Sequence, residues 1–379
     1  MTANKKDPVL VVLQMSGAYD ALNTFIPYND PMYLEYRPTL KVEPEDVLAV
    51  DDEVGFHPAM APLKALYDEG KVAVLQGIGY PKPIRSHFRS MDIWHTAEPG
   101  KVITEGWLGK AIRDLDPQHE NVLTAVNFGR GLPRALAAPG VSVASVGNLD
   151  TYGVLTGIKE EDQRTQALDI FAKTYSPLIG TGAVNDYLSQ TGLDALKGAD
   201  ILTSAPQMYE STVEYGRDQF AQWVKNIAQV HLASFGTRIL YTSLNPGTFD
   251  THANQTTGFP KLWGEVTNAI SAFYQDLKEQ DASQEVVMLA FTEFGRRVRE
   301  NGSGTDHGSG GVAFVIGDAV NGGLYGEYPS LEPSKLDEGD LQWNNDFRCT
   351  YATLLEQWMG LDSKAILGGT YEQFDFIKS

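Results

Sequence analysis

Apolar positions along the chain alternate between strand-like and helix-like patterns. Val9 to Leu13 is an unbroken apolar run of mostly β-type residues, which predicts a strand buried on both faces. A Ser-Gly-Ala-Tyr-Asp turn follows at Ser16 to Asp20. Pro58 to Glu69 carries Met60, Leu63, Leu66 and Tyr67 at helical spacing, and Gly70 ends it. Lys71 to Gly77 predicts the next strand, and beyond a Gly-Tyr-Pro-Lys-Pro loop Ser86 to Thr96 predicts a helix. The rhythm returns later. Arg238 to Leu244 is a strand, Leu262 to Gln280 an amphipathic helix, and Glu285 to Phe291 a strand. Val312 to Gly317 is another strand and Phe347 to Met359 a late helix stopped by Gly360. Strand, turn, helix repeated this way predicts an α/β fold with a mostly parallel sheet.

The middle is less regular. Leu123 to Phe128 and Val141 to Val146 are strand-like, while Glu160 to Lys173 and Met208 to Phe235 read as largely helical. The expectation is one α/β domain over residues 1–379, with a partly helical insertion around 121–235.

Composition narrows the classes of function. At 379 residues, with 42% hydrophobic residues, the chain is long and apolar enough for a large core without staples. Lys and Arg number 30 against 49 Asp and Glu, a net charge of −19. Phosphate repels such a field, so nucleic acid is not an expected partner, although a local arginine cluster can still hold a small anion. Cys349 is the one cysteine, so no intrachain disulfide forms. No apolar run approaches the ~18–20 residues that span a bilayer, so no membrane insertion is expected. The segment Met1-Thr-Ala-Asn-Lys-Lys-Asp-Pro8 enters an apolar strand at once, with no separate apolar stretch and no small-residue cleavage site, so an export signal is not expected within it.

The polar residues follow the strands, where parallel sheets bind ligands. Asp20 follows the first strand, Ser86 and His87 the second, Asp250 and His252 the Arg238–Leu244 strand, and Glu293, Arg296 and Arg297 the Glu285–Phe291 strand. Asp306 and His307 sit in a glycine-rich loop before Val312. If all these strands are parallel, the first four groups converge on one edge and the loop folds over it.

Asp250, His252 and His307 form a usual ligand set for Zn²⁺ or another divalent ion. Equally, His252 caps a turn and Asp306 shapes its loop. Ser86 stands at a helix start, where unpaired amides favour an anion or alkoxide, and Arg85 and Arg89 flank it as possible clamps. Plain capping by Ser86 with solvated arginines explains the same residues. Glu293 is a ligand or base beside an anion site, or an ion-pair partner of a following arginine. His57, His95, His119 and His231 show no partner pattern.

The blocks LQMSGAYDALNTFIP (13–27), GIGYPKPIRSHFRSMDIWHT (77–96), GWLGK (106–110), FDTHANQ (249–255), FTEFGRRVRENGSGTDHG (291–308) and GGLYG (322–326) resemble domain-of-unknown-function family 1501. That family is described as sulfatase-like and grouped with the alkaline phosphatase superfamily. The resemblance implies a doubly wound α/β fold with a mainly parallel central sheet and helices on both faces. It implies a metal-dependent hydrolase of phosphate or sulfate esters, with Ser86 as nucleophile and Arg85, Arg89 or Arg296 steadying the ester oxygens. Asp250, His252 and His307 resemble one metal site, for a single ion such as Zn, Mn or Ca. Glu293 and Asp20 stand near where a second site is usual, without matching its pattern. It also implies a small anionic ester or glycan as ligand, and export to the periplasm or beyond. The alternative is a catalytically inactive protein of the same fold that binds an anionic glycan or partner.

Overall fold

The structure is a computed structural model that describes residues 7–149 and 201–378, with scattered positions between. Its strands, in chain order, are β1 (Val9–Gln14), β2 (Phe25–Ile26), β3 (Leu48–Ala49), β4 (Gly55–Phe56), β5 (Val72–Gly79), β6 (Ala125–Phe128), β7 (Ala144–Val146), β8 (Ile239–Ser243), β9 (Val286–Phe291), β10 (Gly311–Ile316), β11 (Gly323–Tyr325) and β12 (Asn345–Asp346). Nine of them form one sheet in the order β11-β5-β10-β9-β1-β8-β6-β7, with β12 beside β5. The other three pair antiparallel in the order β2-β4-β3.

Side chains alternate along β1 and divide the core in two. Val9, Val11 and Leu13 join a cluster that includes residues of the helices Ala61–Asp68, Gln219–Leu232 and Gln255–Glu279. Leu10 and Val12 join a second cluster with the helices His87–Thr96, Trp107–Leu115 and Phe347–Thr353. Both faces of the sheet are therefore covered, which is why every residue of β1 is apolar except its last, Gln14. This is the doubly wound, mainly parallel architecture expected.

One strand departs from a uniform direction. β1 pairs parallel with β8 and β9, whereas β10 runs antiparallel to both β5 and β9. The chain between β9 and β10 has no crossover helix and returns by a loop, so β10 must reverse. The carboxyl ends of β1, β5, β8 and β9 share one edge, and the amino end of β10 lies there too. Reversal thus brings the glycine-rich loop to the same edge as the four strand ends. Asp7 and Lys378 lie at the opposite edge, before β1 and against Asp318 and Ala319 beyond β10.

Three boundaries differ from expectation. The flanks of the supposed 121–235 insertion are part of the main sheet: β6 and β7 extend it, and Gln219–Leu232 covers a face. The helix expected across Met208–Phe235 is broken, because Tyr209 and Tyr215 turn their hydroxyls onto Asp276 of the Gln255–Glu279 helix at 2.6 and 2.8 Å. That long helix begins seven residues before Leu262, because Asn254 takes a left-handed φ of +55° and the Gln255 amide bonds the Ser303 carbonyl. The helix expected over Glu160–Lys173 lies largely outside the described residues.

Candidate functional site

The shared edge is assembled by close backbone approach. Gly17 follows β1 with φ +113°, and a Cβ there would stand 2.5 Å from the Phe249 nitrogen and 2.7 Å from that of Asp250. Only glycine lets the β1 turn touch the loop after β8. Gly304 and Gly308 meet the backbones of His252 and Arg296 just as closely. Arg296, 1% exposed, ties these loops together by donating to the carbonyls of Gly17, Ala18, Phe249 and Thr305 and to Asp250 Oδ1.

Three imidazoles meet at this edge. His87 Nε2 lies 2.9 Å from His307 Nε2, and His252 Nε2 lies 3.0 Å from the same atom. Asp250 Oδ1 is 3.1 Å from His252 Nε2, 3.2 Å from His307 Nε2 and 3.5 Å from His87 Nε2. The other ring nitrogen of each histidine is engaged elsewhere. His87 Nδ1 donates to Glu293 Oε1 at 2.7 Å, His252 Nδ1 to Asp306 Oδ1 at 3.1 Å, and His307 Nδ1 to the Arg85 carbonyl at 2.9 Å. A carbonyl only accepts, so His307 carries a proton on Nδ1, and the carboxylates of Glu293 and Asp306 hold one on Nδ1 of the other two rings. A neutral ring of this tautomer points an Nε2 lone pair into the cluster. Lone pairs facing each other at such distances repel unless a proton or a cation lies between them.

Charge tuning agrees with that geometry. Burial opposes ionisation of Asp250, but the Arg296 guanidinium outweighs it and holds the carboxyl at about 2. Burial opposes ionisation of Glu293 too; its hydrogen bonds from His87 and Thr292 prevail and keep it below its ordinary value. Gly17 N also donates to Glu293 Oε1 at 3.0 Å. The Glu293 hydrogen bond in turn raises His87.

His87, Asp250 and His307 offer ligand atoms within 4.8 Å of one another. Their separations of 2.9, 3.2 and 3.5 Å compare with about 3.4 Å along the edge of a tetrahedron around Zn²⁺ with bonds of about 2.1 Å. The donor set fits a divalent ion, and His252 adjoins the edge between Asp250 and His307. The partners on Nδ1 are those that orient and strengthen metal-bound imidazoles.

Ser86 is the N-cap of the His87–Thr96 helix, yet its side chain makes no capping bond and is exposed. Its neighbours on both sides reach the cluster, Arg85 through its carbonyl and His87 through its ring. The structure thus brings Asp250, His252 and His307 together next to Ser86.

Other expected site residues stand differently. Asp20 is fully buried and accepts from both terminal guanidinium nitrogens of Arg37 and from Gln255 Nε2, so its carboxylate is turned to a structural network instead of the cluster. Glu293 supports His87 and pairs with no arginine among the described residues. Arg85 is held by Asp340 at 2.7 Å, and Arg89 by the carbonyls of Pro99 and Lys101. Both head groups already meet acceptors, Arg85 through Nε and Nη2 and Arg89 through Nη2, so neither stands wholly free as a clamp. His87 is the member of the cluster that the ligand pattern missed. Its signal was position alone: it follows the β5 loop at the carboxyl edge. Asp306, read as a loop-shaping residue, is also the partner of His252.

Similarity to solved structures is broad and distant. A sulfatase from Pseudoalteromonas sp., PsFucS1, is 11% identical, with a TM-score of 0.44 over 98% of this chain and 71% of its own. An alkaline phosphatase superfamily protein from Vibrio parahaemolyticus is 11% identical, with a TM-score of 0.40 over 97% and 70%. The phosphonate monoester hydrolase of Agrobacterium radiobacter is 10% identical, with a TM-score of 0.39 over 97% and 79%. Among curated proteins none matches. At the level of sequence family the match spans residues 7–367, and the chain belongs to the family described as protein of unknown function DUF1501.

Proposed function

We propose that this edge is the active site of a metal-dependent hydrolase of phosphate or sulfate esters. The observation that carries the reading is the convergence of three imidazole Nε2 atoms on Asp250 Oδ1, one of them belonging to His87, the residue that follows the helix N-cap Ser86. His87, Asp250 and His307 would hold the ion, with His252 completing the set. A nitrogen-rich set of this kind suits zinc better than calcium, which takes oxygen ligands. The ion, when bound, supplies a Lewis acid for an ester oxygen and acidifies a nearby hydroxyl. Ser86 is the nucleophile of this reading. Its Oγ loses its proton to solvent and forms a bond to phosphorus or sulfur as the ester oxygen leaves and is protonated to the alcohol; water then cleaves the serine ester, releases phosphate or sulfate and restores the hydroxyl. The first amides of the His87–Thr96 helix favour the alkoxide and the ester oxyanions.

Metal analysis after dialysis against Zn²⁺, Mn²⁺ or Ca²⁺, together with turnover of aryl phosphate and aryl sulfate, tests it. One tightly held ion and turnover that Ser86→Ala abolishes are expected. Unchanged turnover in that variant removes Ser86 from the reaction, and no bound ion removes the metal. A second reading has its own support: Arg85, Arg89 and Arg296 each already bond protein acceptors, so none of the three stands wholly free for an anion. A catalytically inactive protein that binds an anionic glycan or partner would hold the ion without turnover.

A further inference from the structure

We propose that the loop tips around the start of the His87–Thr96 helix form a docking surface for an anionic lipid layer. Six large apolar side chains are exposed among the described residues, and four of them gather here: Ile84, Phe88, Val102 and Leu132. Phe88 is 86% exposed and Val102 70%. An exposed large apolar side chain forgoes the gain of burial, so four of them in one place call for a covering.

Side-chain contacts join the three segments. Arg89 donates to the carbonyls of Pro99 and Lys101, which seats the Val102 loop beside the first helical turn. Arg134 pairs with Asp92 at 2.8 Å, which seats the Leu132 loop beside the second. Phe88 lies one helical turn before Asp92, on the same face.

Charge selects the occupant. Residues 80–106 and 129–134 carry six Lys and Arg against three Asp and Glu, in a chain that carries 30 against 49. Each apolar tip has a cation one or two positions away: Lys82 by Ile84, Arg89 by Phe88, Lys101 by Val102, Arg130 by Leu132. Lys82 and Arg130 have no ion pair among the described residues, and both are exposed. Single apolar side chains beside cations, on separate segments, suit a lipid interface, where the apolar groups enter and the cations stay with anionic headgroups. No helix among the described residues is long and apolar enough to cross a membrane, and the contact proposed is of side chains at loop tips with the lipid surface. The inference does not rest on the hydrolase reading, and Ser86→Ala should bind vesicles as the parent does.

Flotation of the full chain with phosphatidylcholine vesicles, with and without about 30% phosphatidylglycerol, tests it. Binding that needs the anionic lipid and weakens with salt is expected. Phe88→Ser and Leu132→Ser should each lower partitioning about fivefold or more, and Lys82→Gln or Arg130→Gln about fivefold. Met208→Ser, an exposed apolar residue outside these segments, should leave it unchanged. Thermal melts check that each variant is folded. Absence of binding to anionic vesicles overturns the proposal, as does equal binding by Phe88→Ser and Leu132→Ser. Loss of self-association in those variants without loss of lipid binding overturns it too, by making this face a protein interface.

Discussion

Glu293 Oε1 lies 2.7 Å from His87 Nδ1, and this contact decides which ring nitrogen of His87 faces Asp250 and His307. Trp94 Nε1 and the Ser90 hydroxyl donate to the Glu293 carbonyl at 2.8 and 2.7 Å, so the residue is fixed from behind. Replacing Glu293 with Gln keeps its volume and removes its charge. Zinc affinity, read by calorimetric titration, should fall about 10–100-fold. Undiminished affinity would mean that His87 is not a ligand.

Asp20 gives the opposite result. With both charges of the Asp20–Arg37 pair out of water, Asp20→Asn strands a buried guanidinium and should cost about 3–5 kcal/mol in urea unfolding. Ion stoichiometry at saturation should stay as in the parent. A lost equivalent of metal would return Asp20 to the ligand set.

At Gly17 the expected defect lies in the site's assembly. A methyl group there must displace the backbone of Phe249 and Asp250 and sit at a strained φ. Gly17→Ala should lower both the melting temperature and the zinc affinity, whereas Gly258→Ala, inside a helix with open space around its Cβ, should raise the melting temperature slightly and leave the zinc affinity unchanged. Equal behaviour of the two variants would show that the turn after β1 does not set the site.

Acid should weaken the fold through two histidines away from the cluster. Burial, the largest cause, lowers His57 and His95 from 6.5 to about 4. Below 6.5 the unfolded chain takes up protons that the folded one refuses, so this stability is full above 6.5 and is lost as pH falls towards 4. His87 has the opposite sign: raised by Glu293, its contribution is present below 6.5 and lost as pH rises through its folded value. The urea midpoint of ion-free protein should drop between pH 6.5 and 4, less steeply in His95→Asn. A slope unchanged in that variant would place the acid sensitivity elsewhere.

Much of the frame was readable from pattern. An apolar run such as Val9–Leu13 has one physical solution, burial on both sides, and the sheet follows from several such runs. The reversal of β10 was not readable, because Val312–Ile316 has the same apolar character in either direction. Asp250, His252 and His307 stood out because their side chains suit metals. His87 was harder to single out, because a histidine at a helix start has the same sequence whether it meets solvent or a buried glutamate. Asp20 misled for a related reason: position after a strand marks the edge but does not say which way the carboxylate turns. Arg37, its partner, is 17 residues away and carried no motif.

The placement of both described ends has a practical corollary. Asp7 and Lys378 leave the molecule at the edge remote from His87, Asp250 and His307. A fluorophore, affinity handle or surface linker attached at either position would hold the protein by its far side. The imidazoles and the cationic loop tips would then face outward, free to meet a soluble ester or a supported lipid film in the same experiment.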